Sequence, residues 1–102
     1  QQEESSAVVQ KRVVQAREIQ IKRAGKANYL LNNKELEEYC QLSESNYQLV
    51  EHAISRLGLS ARAYHRILKV ARTIADLAQS EHIATAHLSE AIAYRRLDTR
   101  NG

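Results

Sequence analysis

Hydrophobic residues recur with helical spacing through most of the chain, and no segment keeps the two-residue period of a strand over more than a few residues. The clearest pattern lies in residues 61–79. Its apolar positions are Tyr64, Ile67, Leu68, Ala71, Ile74, Ala75 and Ala78. A stripe of this kind predicts an amphipathic helix with one face against a core. The opposite face, predicted to contact water, holds Arg62, His65, Arg66, Lys69, Arg72 and Asp76.

The segment before Gly25 predicts a first helix, from Ser6 to about Lys26, because glycine is a common stop signal. Three apolar positions share one of its faces: Val9, Val13 and Ala16. Others, including Val8, Val14 and Ile21, lie on different faces, so this helix is expected to contact more than one neighbour. Residues 27–33 predict a connector with an apolar plug made of Tyr29, Leu30 and Leu31.

Capping signals predict two helices in the middle of the chain. Asn32 with Glu35 three residues later fits a capping box, which predicts a short helix through about Tyr39. Ser43 begins the next helix and Gly58 ends it, as expected of a hydroxyl N-cap and a glycine C-cap.

Two more caps complete the predicted architecture. Ser60 caps the amphipathic helix, and Thr85 caps a last helix that ends near Arg96. Residues 97–102 lack periodicity and are predicted to fray. The sequence therefore predicts a single all-α domain over residues 1–102, a small bundle of four or five helices.

Composition agrees with a helical domain, since the chain has no Pro and only three Gly among 102 residues. Neither glycine-rich phosphate-binding motif occurs in it. No run approaches the ~20 apolar residues of a membrane span, and no basic-then-apolar leader is visible, so we expect a cytoplasmic protein with no membrane partner. The chain contains no Met, and we therefore expect it to be a piece of something longer or a processed product.

Charge is distributed unevenly along the chain. Residues 1–26 carry six bases against three acids, residues 27–59 two against five, and residues 60–102 seven against four. Basic ends around an acidic middle allow internal pairing as well as contacts with an external polyanion.

Few residues suggest catalysis or metal binding. The four histidines lack metal-ligand spacing, and the lone Cys40 is expected to be a small buried apolar residue. The carboxylates Glu35, Glu37 and Glu38 are interpreted as the exposed face of an acidic helix. We therefore predict no catalytic residue, no metal site and no independent enzyme.

Arg62 is the strongest candidate for a functional side chain. It follows the Ser60 cap in the first turn of a helix, where unpaired backbone amides already favour an anion. A guanidinium at this position can hold a phosphate with two donors. It also opposes the helix dipole, which suggests an external anion, and the alternative interpretation is an ordinary arginine on the water-facing side of the helix.

The run from Gly58 to Leu77, with its Ser-Ala-Arg-Ala-Tyr-His-Arg string at 60–66, resembles the C-terminal helical domain of magnesium-chelatase-like AAA+ ATPases, in their competence-related helicase branch. The similarity continues through residues 80–83 and 85–94. It also reaches back through residues 16–17, 25–28 and 35–40, and so covers nearly the whole chain.

The resemblance implies a role for the domain. The parent protein would be a ring-forming ATPase that uses ATP and Mg, with its nucleotide-binding core upstream, and this domain would be its lid. Ser60-Ala61-Arg62 matches the family's sensor 2 pattern, which makes Arg62 the residue expected to touch the γ-phosphate and couple hydrolysis to lid movement. The partners implied are the AAA+ core of the same chain and neighbouring subunits, and the parent is expected to drive DNA branch migration in competence and recombination.

Two other functions remain open on the residues alone. A stand-alone nucleic-acid-binding module is suggested by the basic ends, and a protein-interaction module by exposed apolar positions on the first helix. Seven basic side chains are candidates for contacts with DNA or another subunit: Lys11, Arg12, Arg17, Lys22, Arg23, Arg66 and Lys69.

Overall fold

The computed structural model describes the backbone of residues 6–101 and the side chains of residues 6–94. Five α-helices follow in order: α1 (Ser6–Ala24), α2 (Asn33–Tyr39), α3 (Glu44–Leu57), α4 (Ala61–Leu77) and α5 (Thr85–Asn101). A short 3₁₀ turn, Asn28–Leu30, lies between α1 and α2. The described residues contain no strand, so the predicted all-α bundle is confirmed.

Local capping chemistry sets most of the helix ends where the sequence predicted them. At the start of α2, the Glu35 amide donates to Asn32 Oδ1 at 2.8 Å and the Asn32 amide donates to Glu35 Oε1 at 2.9 Å. Ser43 caps α3, which ends at Gly58 with a left-handed φ of 65° that favours glycine. The capping box and both ends of α3 are therefore confirmed.

The start of α5 differs from the prediction. Thr85 is the first residue of the helix and not its cap, because its hydroxyl donates to Asn46 Oδ1 at 2.7 Å. The side chain of His87 accepts instead from the Ala84 amide at 2.9 Å. The helix also continues to Asn101, beyond the predicted end near Arg96. Side chains of residues 95–102 lie outside the described part, so fraying of residues 97–102 stays a prediction.

Helix α4 is the centre of the bundle and packs against α1, α2, α5 and the 3₁₀ turn. Its predicted stripe is buried at the middle positions Ile67, Leu68, Ala71 and Ala75. These side chains form one core with residues from the surrounding helices, namely Leu36, Val50, Leu88 and Ala91. Burying so many apolar groups on one helix supplies the main favourable term in folding.

Helix α1 contacts α4 with only part of its predicted apolar face. Ala16 is 3% exposed, whereas Val9 and Val13 are 42% and 46% exposed, so only one of the three positions on that face is buried. The reason is length: Gln15 already meets Gln79 by a side-chain hydrogen bond of 2.9 Å, beyond the end of α4. Val9 and Val13 precede this contact and remain exposed.

The predicted apolar plug is also only partly correct. Leu31 is buried at 3% exposure, but Tyr29 and Leu30 are 69% and 56% exposed. The residue of the turn that faces the interior is Asn28, whose backbone N–H donates to Gln20 Oε1 at 3.0 Å. Because this polar residue occupies the interior, the turn directs the two residues after it outward.

No helix within residues 6–101 combines the length and the apolar content needed to cross a membrane.

Candidate anion-binding site on helix α4

The first turn of α4 presents unpaired backbone donors. Ser60 is the N-cap, and its hydroxyl oxygen accepts from the Ala63 amide at 3.2 Å. Its carbonyl accepts from the Tyr64 amide at 3.0 Å. The amides of Ala61 and Arg62 have no acceptor among the described residues. These two donors give the helix start its affinity for an anion.

Arg62 lies in this turn with its side chain exposed. Within the described residues it makes neither a hydrogen bond nor an ion pair. The guanidinium is therefore unpaired in the same helical turn as the free amides, at the position that the sequence analysis predicted. Its planar fork matches a phosphate or carboxylate by two parallel hydrogen bonds.

The exposed side of α4 carries positive charge, and the helix itself adds no exposed acid to it. Arg66 lies one turn after Arg62 and is also exposed. Lys69 follows, half-buried, and donates from Nζ to the Tyr29 carbonyl at 3.2 Å. The single acid of α4, Asp76, is 1% exposed and faces the interior. This exposed side of α4 is therefore cationic.

Arg72 and Asp76 do not belong to that exposed side, so the sequence interpretation was wrong for both. They are 4% and 1% exposed, and Arg72 Nη2 lies 3.2 Å from Asp76 Oδ1. Arg72 also donates to the carbonyls of Ser80 and Glu81 at 2.9 and 3.2 Å. Gln79, with a φ of 57°, turns the chain so that these carbonyls follow the helix end. Burial lowers the pKa of the Arg72 guanidinium, and the Asp76 charge acts in the opposite direction.

Arg23 completes this buried group from α1. Its two terminal nitrogens donate to Asp76 Oδ1 and Oδ2 at 2.6 and 3.1 Å. Asn28 Nδ2 donates to the same Oδ2 at 3.0 Å. Arg23 was a candidate for contacts with DNA or another subunit, but here it joins α1 to α4. We call Arg23, Asn28, Arg72 and Asp76 the ionic cluster.

The sequence held a signal for part of the ionic cluster. Leu68, Arg72 and Asp76 form one i, i+4 row on α4, and the row begins with a residue of the apolar stripe. Each step of four residues turns the row by only about 40° around the helix, so Arg72 and Asp76 stay close to the edge of the core. Burying these charged side chains is favourable only if partners neutralise them. Those partners come from other elements, and Arg23 and Asn28 are 53 and 48 residues away from Asp76.

The remaining basic candidates on α1 do not form one surface with Arg62. Lys11, Arg12, Arg17 and Lys22 are all exposed, and the helical repeat distributes them around the helix. Arg12 alone among them lines the same groove as Lys69.

Cys40 is 3% exposed in the core, as expected. Desolvation raises the pKa of its thiol to about 11, so the thiolate needed for nucleophilic chemistry is disfavoured. Among the described residues, no three His, Cys, Asp or Glu side chains are grouped to hold a metal ion.

This bundle, with its arginine at the start of the central helix, is one instance of a known domain. The family described as the C-terminal domain of the magnesium chelatase subunit ChlI matches residues 3–95, and the chain belongs to that family. It is 52% identical over 94 residues to the competence protein ComM of Haemophilus influenzae. It is 48% identical over 95 residues to the Escherichia coli protein YifB, and 46% identical to YifB of Salmonella typhimurium.

These similarities concern one part of the relatives. The alignments cover 92% to 93% of this chain but only 18% to 19% of the ComM and YifB chains.

Proposed function

We propose that this domain is the lid of an ATP-hydrolysing AAA+ protein and that Arg62 is its sensor 2 arginine. The observation that carries the proposal is the exposed, unpaired guanidinium beside two free amides in the first turn of α4. The guanidinium and the two backbone amides together suit the oxygens of a terminal phosphate group. Membership in the chelatase C-terminal family supports the AAA+ context.

The chemistry expected of Arg62 is electrostatic. Bound ATP with Mg would supply the phosphoryl group that is transferred to water, and the core domain would hold it. Arg62 would bind a phosphate oxygen and stabilise the charge that develops in the transition state. Since the same residue is fixed to the rigid helix α4, loss of the phosphate would release the whole lid.

The similarity to ComM supports a finer proposal for the parent protein. It would be a ring of subunits that drives DNA branch migration in competence and recombination. In such a ring, Arg62 would act on the nucleotide of its own subunit or on that of a neighbour.

The test is ATP turnover by the longest natural chain that contains these residues. We expect Arg62→Ala to lower kcat by about a hundredfold to a thousandfold, the range seen when one preorganised transition-state donor is removed. Arg62→Lys should restore little, because an ammonium cannot reproduce the two-donor fork. The measurement is steady-state phosphate release with saturating Mg-ATP.

A matched control variant is Arg56→Ala, an exposed arginine in the last turn of α3. It should hydrolyse ATP like the parent. Equal turnover in Arg62→Ala and Arg56→Ala would contradict the sensor role. The absence of a nucleotide-binding core from the longer chain would contradict the lid assignment, and would favour a stand-alone binding module.

A further inference from the structure

A groove beside α4 combines aromatic, cationic and apolar groups. It has a volume of about 560 Å³, within the ~300–1,000 Å³ typical of ligand sites. Its apolar floor is formed by Val70, Ile74 and Leu77 of α4. Tyr29 and Tyr94 line it from the 3₁₀ turn and from α5.

The two tyrosines are unusually exposed for their size. Tyr29 is 69% exposed and Tyr94 is 50% exposed. The Tyr29 ring makes no hydrogen bond within the described part of the chain, and Tyr94 donates from its hydroxyl to Glu90 at 3.2 Å. Rings left in water at a groove offer flat surfaces on which a planar ligand can stack.

Lys69 holds a positive charge at the backbone of Tyr29. Its Nζ donates to the Tyr29 carbonyl at 3.2 Å, which leaves two of the three ammonium protons for another acceptor. The same α4 face continues to exposed Arg66, about 5 Å along the helix axis. Among the residues whose side chains are described, Glu90 is the one acid on the groove wall, and Arg12 also lines the groove.

We infer that this groove binds single-stranded nucleic acid, with bases stacked on Tyr29 and Tyr94 and the backbone phosphates along Lys69 and Arg66. Stacking surfaces next to a cationic track are the physical requirements for single-strand binding. Charge complementarity selects this occupant, since an apolar protein helix would cover the floor but leave the cations of α4 unmatched. The inference does not depend on the phosphate-sensing role of Arg62.

The experiment is a fluorescence anisotropy titration of a labelled oligodeoxythymidylate of about 20 nucleotides, longer than the ~4–16 that a small domain covers. The titration is run at about 50 and about 200 mM salt. We expect saturable binding at low salt, tighter than that of a duplex of equal length. Duplex bases are already stacked on one another and cannot use the tyrosines.

Variants locate the binding. Tyr29→Ala should weaken it by about 5-fold to 150-fold, the range for losing one stacked base, and Tyr29→Phe should retain it. Lys69→Gln should lower the slope of log affinity against log salt by about 0.7, as expected for one lost phosphate contact. Circular dichroism of each variant verifies that the helices are intact.

Matched controls lie on α3, away from the groove. Tyr47→Ala removes a ring that is 43% exposed, and Arg56→Gln removes an exposed cation. Both should bind like the parent chain. No binding at low salt would overturn the inference and favour a protein partner for the groove. Equal losses in Tyr29→Ala and Tyr47→Ala would also overturn it. Arg62→Ala should scarcely change the titration, so failure of the groove and failure of the sensor role are distinguishable.

Discussion

The arginines of helix α4 lie in two surroundings, an interior side that α1 and the loop after α4 cover and an outer side that faces water, and the two differ in what they do with charge. On the interior side, Arg72 and Asp76 are almost fully buried, and the carboxylate is shared with Arg23 from α1. On the outer side, Arg62 and Arg66 are exposed, and the structure describes no ion pair for either. Residues of the same type in one helix thus fall into a structural group and a group available to a ligand.

The comparison shows that a basic residue is informative about function only after its partners are known. Arg23 and Arg72 share the Asp76 carboxylate, and Arg72 also donates to the Ser80 and Glu81 carbonyls, so most of the interior donors are satisfied. Among the described residues, Arg72 Nε is the one buried side-chain nitrogen or oxygen that has no hydrogen-bond partner. The outer arginines pay no desolvation cost and use no internal acceptor, so their charge remains for external anions.

The largest effect should follow from removing the shared carboxylate. Asp76→Ala leaves two guanidiniums facing each other in the interior, and breaking a buried pair in this way costs about 3–5 kcal/mol. That is a large part of the ~5–15 kcal/mol that holds a small domain together. Urea unfolding followed by circular dichroism measures the loss.

A second variant keeps the prediction testable if Asp76→Ala does not fold. Asp76→Asn preserves size and one acceptor oxygen, so it should fold and still lose stability. An exposed carboxylate provides the control: Glu38→Ala on α2 should change the free energy of unfolding by less than about 0.5 kcal/mol. Equal stability of Asp76→Asn and the parent would remove the structural role assigned to the ionic cluster.

The interior side also predicts an inert thiol. Cys40 has a pKa of about 11 against an ordinary value of 9.0, so its thiolate fraction at pH 8 is reduced by about 100-fold. Alkylation by iodoacetamide should be slowed by at least this factor in the folded chain. The same reaction in denaturant should regain the rate of a free cysteine. Mass spectrometry over time measures both.

The sign of the pH dependence follows from the raised pKa. The folded state disfavours the Cys40 thiolate, so stability is unaffected below the ordinary pKa. It is lost as pH rises from about 9 towards about 11. Rapid alkylation of folded protein at pH 8 would show that the thiol is accessible and ionised, contrary to its described burial.

Local rules predicted much of the fold, because capping and apolar periodicity depend on neighbours in sequence. The capping box at Asn32, the left-handed stop at Gly58 and the buried positions of α4 followed from such patterns. The position of Arg62 in the first turn of α4 followed from the Ser60 cap in the same way.

The rest depended on contacts that are distant in sequence. The ionic cluster needs Arg23 to meet Asp76 across 53 residues, and no periodicity within α4 reveals that partner. The exposure of Val9 and Val13 depends on where α4 ends relative to α1. The groove beside Tyr29 could not be predicted from the sequence either, because the sequence analysis placed this tyrosine in an apolar plug and the structure exposes it.

The smallest effect on stability should come from the outer side of the comparison. Arg62→Ala removes a cation that opposes the dipole at the start of α4 and that contacts nothing described in the structure. We therefore expect its free energy of unfolding to stay within about 0.5 kcal/mol of that of the parent. Any change should be a small gain in stability, because the unfavourable interaction with the dipole is removed. Arg66→Ala, one turn later, should behave the same way. Urea unfolding of both, measured beside Asp76→Asn, makes the comparison direct. A loss above about 1 kcal/mol in Arg62→Ala alone would mean that this guanidinium stabilises the fold, and its availability for a phosphate would then have to be abandoned.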